Sequence, residues 1–300
     1  MNKVAVHVGL PKTATTTLQQ RVFAAHPGIL YLGPRAEHPE FDQVMSALCS
    51  ADSLNYDAAG SLEIVDRLLS SPQEGEKPFV VSYEAVTAQG RDRLIKAERL
   101  KTLFPDARIV ITVRRPEDML VSMYFQWLKG VGGKRFEAPS LEAWLEQDWR
   151  DTSKGNFLRL QYQKILELYR ALFGRANVLL LFFEDLIDDR AKFARQLSEF
   201  IGVDSEATEH LLSQERSNLR MNSLRYSEVR LYSSLPLLRP LESLKRFLPD
   251  SVRTFVRNRM GSQVTQKLSP EWRQRIRDYA KTENQALERE FGEIAKYDYF

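Results

Sequence analysis

The chain has 300 residues, of which 43% are hydrophobic and 28% charged, a composition typical of a globular protein with one large domain or two small ones. Its 43 basic and 40 acidic residues leave a net charge of only +3, which is too balanced for a protein that coats nucleic acid. The single cysteine excludes an intramolecular disulfide. The cysteine and the four histidines form no cluster at zinc-ligand spacing, so we predict no metal site.

The start of the chain and its apolar segments bear on membrane attachment. A strand pattern begins within a few residues of Met1, which leaves no room for a signal peptide or an anchor. No apolar run approaches the roughly 20 residues that a membrane span needs. We therefore expect a cytoplasmic protein with no stable membrane insertion.

The first predicted unit is a strand, a tight loop and a helix N-terminus, in residues 3–20, KVAVHVGLPKTATTTLQQ. A helix N-terminus has unpaired backbone N–H groups and partial positive charge, so this junction predicts a phosphate-binding loop. Lys12 adds a full charge. Further donors come from the hydroxyls of Thr13, Thr15, Thr16 and Thr17. The alternative is a plain strand-to-helix turn with chance threonines.

The spacing of this loop differs from that of nucleotide hydrolases, G-x-x-x-x-G-K-[ST], whose hydroxyl holds magnesium. Here Lys12 stands three residues after Gly9, no second glycine precedes it, and no acidic residue is nearby. The arrangement K-[ST]-x-T-T resembles instead the 5′-phosphosulfate loop of sulfotransferases that use 3′-phosphoadenosine 5′-phosphosulfate (PAPS). That family usually has glycine at the third position, and we expect Ala14 to keep a negative φ there as part of the helix.

The next part of the chain predicts a short strand, two helices and an apolar strand, at residues 29–32, 40–50, 61–70 and 78–84. The last strand ends in Glu84, and ligands of parallel sheets bind at the carboxyl ends of strands. A solvated glutamate or a helix-cap partner is an equal alternative from position alone. The resemblance implies a general base, because carbohydrate sulfotransferases of the Golgi type and their bacterial relatives use a glutamate in this region. The cytosolic type uses a histidine, whereas His7 here is predicted to be core.

A second anion-binding pattern follows a predicted helix at residues 91–104. Residues 107–127, ARIVITVRRPEDMLVSMYFQW, predict a buried strand, two arginines and a helix that begins at Pro116. Ser122 lies eight residues after Arg114, on the second turn of that helix. The two side chains can converge on one phosphate, because a guanidinium offers a fork of donors that matches phosphate oxygens. An exposed basic strand end is the alternative.

This pattern resembles the 3′-phosphate motif of the same family, an R-x-P followed by serine and tyrosine. The matching residues are Arg114, Pro116, Ser122 and Tyr124. Arg115 is a second candidate for the arginine, but the spacing favours Arg114. Two such motifs occur in the right order, roughly a hundred residues apart.

The remaining segments predict helices at residues 141–149, 157–173 and 191–201, a strand at residues 177–183, and a C-terminal helix at residues 269–291. Glu184 and Asp185 follow the strand, where the family has a structural acidic turn. A magnesium site there lacks the lysine and hydroxyl that a nucleotide hydrolase needs. Weaker candidates are Arg216 and Asn218 for the adenosine, Lys134 and Arg135 for an acceptor, and an acceptor-side helical pair at residues 231–259.

The resemblance to PAPS-dependent sulfotransferases implies an α/β fold, a P-loop-NTPase-like three-layer sandwich whose mostly parallel sheet has helices on both faces. We expect one domain over residues 1–300, with a PAPS-binding core at about 1–203 and a helical portion at about 204–300. Lys12 would stabilise the leaving oxygen, and residues 13–17 would bind the 5′-phosphate. Arg114 and Ser122 would bind the 3′-phosphate, and Glu84 would act as base.

The implied reaction moves a sulfuryl group from PAPS to a hydroxyl or amine of a small-molecule or glycan acceptor, without a metal, and releases PAP. The residues leave two other classes open. One is a kinase or NTPase with a degenerate loop, and the other is a non-catalytic nucleotide- or glycan-binding protein.

Overall fold

The computed structural model describes residues 3–34, 38–70, 77–88, 92–131, 139–153, 155–214 and 267–299. Several of the weaker candidates lie outside the described residues. These are Lys134, Arg135, Arg216, Asn218 and the segment 231–259.

The centre of the fold is a five-stranded parallel sheet with the order β2-β3-β1-β4-β5. Its strands are β1 (Val4–His7), β2 (Leu30–Leu32), β3 (Phe79–Ser82), β4 (Arg108–Val113) and β5 (Val178–Phe182). Each lies within a segment that the β-branched and apolar pattern predicts, apart from Arg108. A parallel sheet needs a helical connection after each strand. The predicted α/β class, with a central parallel sheet between helices, is confirmed.

The helices of the described residues alternate with the strands and continue beyond the sheet. They are α1 (Thr15–Thr17, continuing as a π-helix over Leu18–Phe23), α2 (Pro39–Ser50), α3 (Ala58–Leu69), α4 (Ala85–Ala88), α5 (Arg93–Leu103), α6 (Pro116–Val131), α7 (Leu141–Trp149), α8 (Tyr162–Phe173), α9 (Phe183–Asp188), α10 (Arg190–Ile201), α11 (Ser205–Ser213), α12 (Pro270–Glu283), α13 (Gln285–Glu290) and α14 (Glu293–Lys296), with 3-10 turns at Phe157–Leu160 and Arg175–Asn177. None of these described helices is both long and apolar enough to cross a bilayer.

Two hydrophobic cores cover the two faces of the sheet, because successive strand residues point to opposite faces. Val6 and Ile109 face the larger core, which packs against α2, α3, α5, α6, α7, α8 and α12. Ala5 and Val110 face the smaller core, which packs against the π-helix, α9, α10 and α11. Both faces of the sheet are therefore buried, and its carboxyl-terminal edge is the place where a ligand site can form.

Two predicted helices are interrupted, which corrects the sequence-based boundaries. Gln161 has non-helical φ −80° and ψ 59°, and separates the 3-10 turn from α8. Asn284 has φ −133° and ψ 25°, and ends α12. Its buried side-chain amide donates to the Leu160 carbonyl at 2.7 Å and accepts from the Gln163 N–H at 2.9 Å. Each break thus stabilises the other through contacts that helical periodicity does not encode.

Candidate active site

The residues predicted to act together follow three neighbouring strands. Lys12 follows the central strand β1, Glu84 follows β3 on one side, and Arg114 follows β4 on the other. Because all three strands are parallel, their carboxyl ends share one edge of the sheet. Arg114 Nη1 donates to the carbonyl oxygen of Lys12 at 3.1 Å, so the two predicted phosphate-binding elements are direct neighbours.

The loop between β1 and α1 turns through two residues with positive φ. Lys12 has φ 67° and Ala14 has φ 68° with ψ 17°, both in the left-handed region. The expectation that Ala14 keeps a negative φ is therefore wrong. Ala14 is the N-cap residue of α1. Its carbonyl accepts the first helical hydrogen bond, from the Leu18 N–H at 3.0 Å, but its backbone has a left-handed and not a helical conformation. Loops of this kind gather backbone N–H groups around an anion.

We predict that Ala14→Gly raises the free energy of unfolding by up to about 1 kcal/mol. The left-handed conformation costs an L-residue about 1–2 kcal/mol, and glycine avoids this cost. Part of the gain is lost, because glycine loses more conformational entropy than alanine on folding. Urea unfolding measures the change. Ala47→Gly is the matched control, since Ala47 lies inside α2 and its replacement should cost about 1 kcal/mol. Equal losses in both variants would contradict the prediction.

A buried chain of hydrogen bonds supports this loop from below. It runs in the order Gln19, Ser82, His7, Thr112, Thr13 and the carbonyl of Leu10, with contacts between 2.6 and 3.2 Å. Thr13 donates to the Leu10 carbonyl, so Thr112 must donate to Thr13 and His7 Nε2–H to Thr112. His7 Nδ1 then accepts from Ser82. The imidazole is neutral, because burial lowers the pKa of His7 to about 3.

This chain has two consequences for the loop. Gly9 passes so close above it that a Cβ there would lie 2.5 Å from Thr112 Oγ1, which explains the glycine. The Thr13 hydroxyl is turned inward, so this residue is left with its backbone N–H for a ligand, not the hydroxyl that the sequence suggested. His7 is fully buried, as predicted for a core histidine.

The other threonines of the loop differ in exposure. Thr15 is buried, its hydroxyl lies 3.4 Å from the Leu10 carbonyl, and it is near enough to Glu84 to lower the pKa of that carboxyl. Thr16 is exposed and Thr17 half-buried, both in the first turn of the helix. The structure therefore brings Thr15 to the proposed base, which the sequence did not predict.

Glu84 lies half-buried among cations at the end of β3. Burial raises the pKa of its carboxyl, while Lys12, the Thr15 hydroxyl and Arg159 oppose the shift. Burial also lowers the pKa of the Lys12 ammonium, which Glu84 opposes and Arg114 reinforces. A glutamate with a raised pKa is a stronger base than one in water, and the charge of Glu84 acts on Lys12, the residue to which the resemblance assigns charge stabilisation.

Arg114 is buried between the loop and the helix after β5. Its guanidinium lies over the ring of Phe183, 4.4 Å from the centroid. Arg115 points elsewhere and pairs with Asp118 at 2.6 Å on the surface of α6. The structure therefore directs Arg114, and not Arg115, toward the loop. Ser122 is half-buried on the second turn of α6.

The acidic turn after β5 contacts other parts of the protein. Asp185 accepts from Lys192 and from the Tyr297 hydroxyl, and Glu184 accepts from the Arg115 N–H at 2.9 Å and from the Tyr299 hydroxyl at 2.5 Å. These contacts attach the C-terminal segment to the sheet, which agrees with a structural role. Among the described side chains, no three histidines, cysteines, aspartates or glutamates form a metal-binding group.

Arg159 is not among the residues predicted for the site, because it belongs to no motif and lies inside a segment predicted to be plain helix. The 3-10 turn Phe157–Leu160 places this arginine near Glu84. Its Nη1 lies 3.7 Å from Met123 Sδ on α6. Only the packing of α5, α6 and the turn brings Arg159 to the site.

Taken together, the donor set fits a ligand with two anionic groups. One group would meet Lys12 and the N–H groups of the loop, and the other would meet Arg114 and Ser122. Gly9 lets the loop pass close to His7 and Thr112, and turns with positive φ such as those at Lys12 and Ala14 are of the kind that gathers backbone N–H groups around an anion.

Several solved structures are similar to this chain at low sequence identity. A sulfotransferase from Alicyclobacillus acidocaldarius is 20% identical, with 84% of this chain and 99% of that chain covered and a TM-score of 0.47. A mouse sulfotransferase complexed with PAP is 14% identical, with coverages of 94% and 85% and a TM-score of 0.46. A sulfotransferase domain from the curacin biosynthetic pathway is 14% identical, with coverages of 96% and 98% and a TM-score of 0.47.

Two sequence comparisons complete this picture. A search of curated proteins returns no match. The family described as the sulfotransferase domain matches residues 4–288, which includes β1 to β5 and every residue of the candidate site.

Proposed function

Because the chain belongs to the sulfotransferase domain family, we propose that it transfers the sulfuryl group of PAPS to a hydroxyl or amine of an acceptor and releases PAP. The observation that carries the proposal is the 3.1 Å hydrogen bond from Arg114 to the Lys12 carbonyl. This bond holds the Arg114 guanidinium against the backbone of the loop, so a single nucleotide with phosphoryl groups at both its 5′ and 3′ positions can reach the loop and Arg114 together. ATP and AMP lack the 3′-phosphate and leave Arg114 without its ligand.

In this proposal the loop binds the 5′ end of the nucleotide, and Arg114 with Ser122 of α6 binds the 3′ end. The 5′-phosphate is held by the Lys12 ammonium and by residues 13–17, which contribute backbone N–H groups and the hydroxyls of Thr15 and Thr16. The 3′-phosphate is held by the Arg114 guanidinium and the Ser122 hydroxyl. A guanidinium has five N–H donors, and the Lys12 carbonyl takes one of those of Arg114.

The chain's own residues supply charge stabilisation and a base. When bound, PAPS provides an activated sulfuryl group whose transfer leaves negative charge on a phosphate oxygen. Lys12 stabilises that charge, and Glu84 takes the proton of the acceptor's hydroxyl or amine. Burial raises the pKa of Glu84, which suits it for accepting a proton.

We propose a carbohydrate or glycoconjugate as acceptor, since the base is a glutamate and His7 is sealed inside the sheet. We also propose a single domain over residues 1–300. In support, Arg277 of α12 pairs with Glu117 of α6 at 2.6 Å, and Asn284 joins the C-terminal helices to α8. A cytoplasmic location stays a prediction.

The test of this function is a thermal-shift comparison of PAP, ATP with magnesium, and AMP. We expect PAP without added metal to raise the melting temperature most, by several degrees, because a ligand at about 100 times its Kd adds about 2.7 kcal/mol of stability. A larger shift with magnesium and ATP would favour a kinase or NTPase. Binding of PAP with no sulfated product from a broad acceptor panel would favour a binding protein.

Arg114→Ala tests the assignment of the 3′-phosphate within the same experiment. We expect its affinity for PAP to fall about 10- to 100-fold, the usual loss for a charge-assisted hydrogen bond. Ser122→Ala removes one hydroxyl and is a milder second variant, with an expected loss of several-fold. Tight PAP binding retained by both variants would count against this half of the site.

A further inference from the structure

A second pair of cations, Arg159 and Arg93, lies near the candidate base and is not among the residues proposed to bind the nucleotide. Arg159 is half-buried on the turn Phe157–Leu160, and Arg93 of α5 holds that turn by donating to the Leu158 carbonyl at 2.9 Å. The Nε of Arg93 is buried and makes no hydrogen bond to any of the described atoms. The contact of Arg159 Nη1 is with the weak acceptor Met123 Sδ at 3.7 Å.

Among the described residues, neither guanidinium group has the carboxylate partner that buried cations usually have. Within the described part of the chain, no carboxylate lies within 4.0 Å of either one. Asp148 attracts Arg159 from a distance, but its carboxylate already accepts from the Asn156 N–H at 3.0 Å. Burial and the neighbouring Arg93 both lower the pKa of Arg159, so the two cations repel each other. A bound anion would relieve this repulsion.

The arginine pair is linked to the candidate base through α5. Lys96, one turn after Arg93 on α5, donates to the carbonyl of Ala85, the residue after Glu84, at 3.3 Å. Arg159 is also one of the charges that lower the pKa of the Glu84 carboxyl. Because both phosphates of the nucleotide are assigned to the loop and to Arg114 with Ser122, an anion bound by the arginine pair near the base belongs to the acceptor.

We propose that Arg159, supported by Arg93, binds an oxyanion of the acceptor, a carboxylate or a sulfate ester, close to the hydroxyl that is to be sulfated. This proposal rests on the proposed function and narrows its acceptor to an anionic carbohydrate. The planar donor fork of a guanidinium matches both kinds of oxyanion, so either one can satisfy the pair.

The test compares probes that differ only in the anionic group. One pair is 4-nitrophenyl β-D-glucuronide and 4-nitrophenyl β-D-glucoside, and the other is N-acetylglucosamine 6-sulfate and N-acetylglucosamine. Binding is measured by calorimetry, with and without PAP. We expect wild-type protein to bind the anionic member of at least one pair about tenfold or more tightly. Arg159→Gln should reduce that preference to less than about threefold and leave PAP affinity unchanged.

Arg150→Gln is the matched control, since Arg150 is an exposed arginine at the end of α7, and it should keep the preference. Equal affinity within both pairs for the wild-type protein, including the case in which no probe binds, would overturn the inference. An equal loss of PAP affinity in Arg159→Gln would also overturn it, by assigning this arginine to the donor. Failure of PAP to bind the wild-type protein would instead contradict the proposed function.

Discussion

Lys12→Ala is expected to lower turnover with PAPS about 10²- to 10³-fold, the loss typical when one preorganised donor to a developing charge is removed. Lys12 lies in the loop that follows the central strand, and Arg114 donates to its backbone carbonyl. Its positive charge matters most when the leaving phosphate oxygen becomes negative. PAP affinity should therefore fall much less than kcat, measured as radiolabelled sulfate transferred from PAPS to the best acceptor of a panel.

Lys3→Ala provides the control for this variant, because Lys3 is exposed just before β1 and contributes its backbone to the sheet. Its turnover should equal that of the wild type. Lys12 has a positive φ, and alanine pays about the same conformational cost there as lysine does. Unfolding curves of Lys12→Ala and wild type should therefore nearly coincide. If Lys12→Ala kept more than about a third of the wild-type kcat, the lysine would not be the charge-stabilising group.

Glu84→Gln is expected to lower kcat about 10²- to 10⁴-fold, the usual contribution of a general base, with PAP affinity unchanged. The amide has nearly the same shape as the carboxylate but does not accept a proton. Glu98→Gln is the matched control, since Glu98 is exposed on α5. Full activity of Glu84→Gln toward a good acceptor would show that another group takes the proton.

The pH dependence of the reaction rate is an independent test of the role of Glu84. The base acts only when deprotonated, so the wild-type rate should fall about tenfold per pH unit on acidification below its pKa. Burial raises that pKa above the ordinary value of 4.5, so the fall should begin at a higher pH than a solvated glutamate would give. The residual activity of Glu84→Gln should lack this step.

The residues of the candidate site were found in the sequence because they follow local patterns. Each of Lys12, Glu84 and Arg114 comes shortly after a strand, and the carboxyl ends of parallel strands share one edge. The eight-residue spacing from Arg114 to Ser122 follows from a strand end and a helix that begins at proline. Periodicity did not reveal the breaks at Gln161 and Asn284. Side chains of Arg93 and Asn284 donate to the carbonyls before the first break, and the Gln163 side chain accepts from the Ala286 N–H after the second.

The sequence by itself determined the α/β class, the strand positions and the two anion-binding patterns, because these depend on residues close together in the chain. Only the tertiary structure decided that β3 and β4 flank β1, that Ala14 is left-handed and that Arg159 stands beside Glu84. Each of these depends on contacts between residues far apart in sequence, whose energies no local pattern encodes. The strand order is the clearest case, since it places Arg114 next to Lys12, 102 positions earlier in the chain.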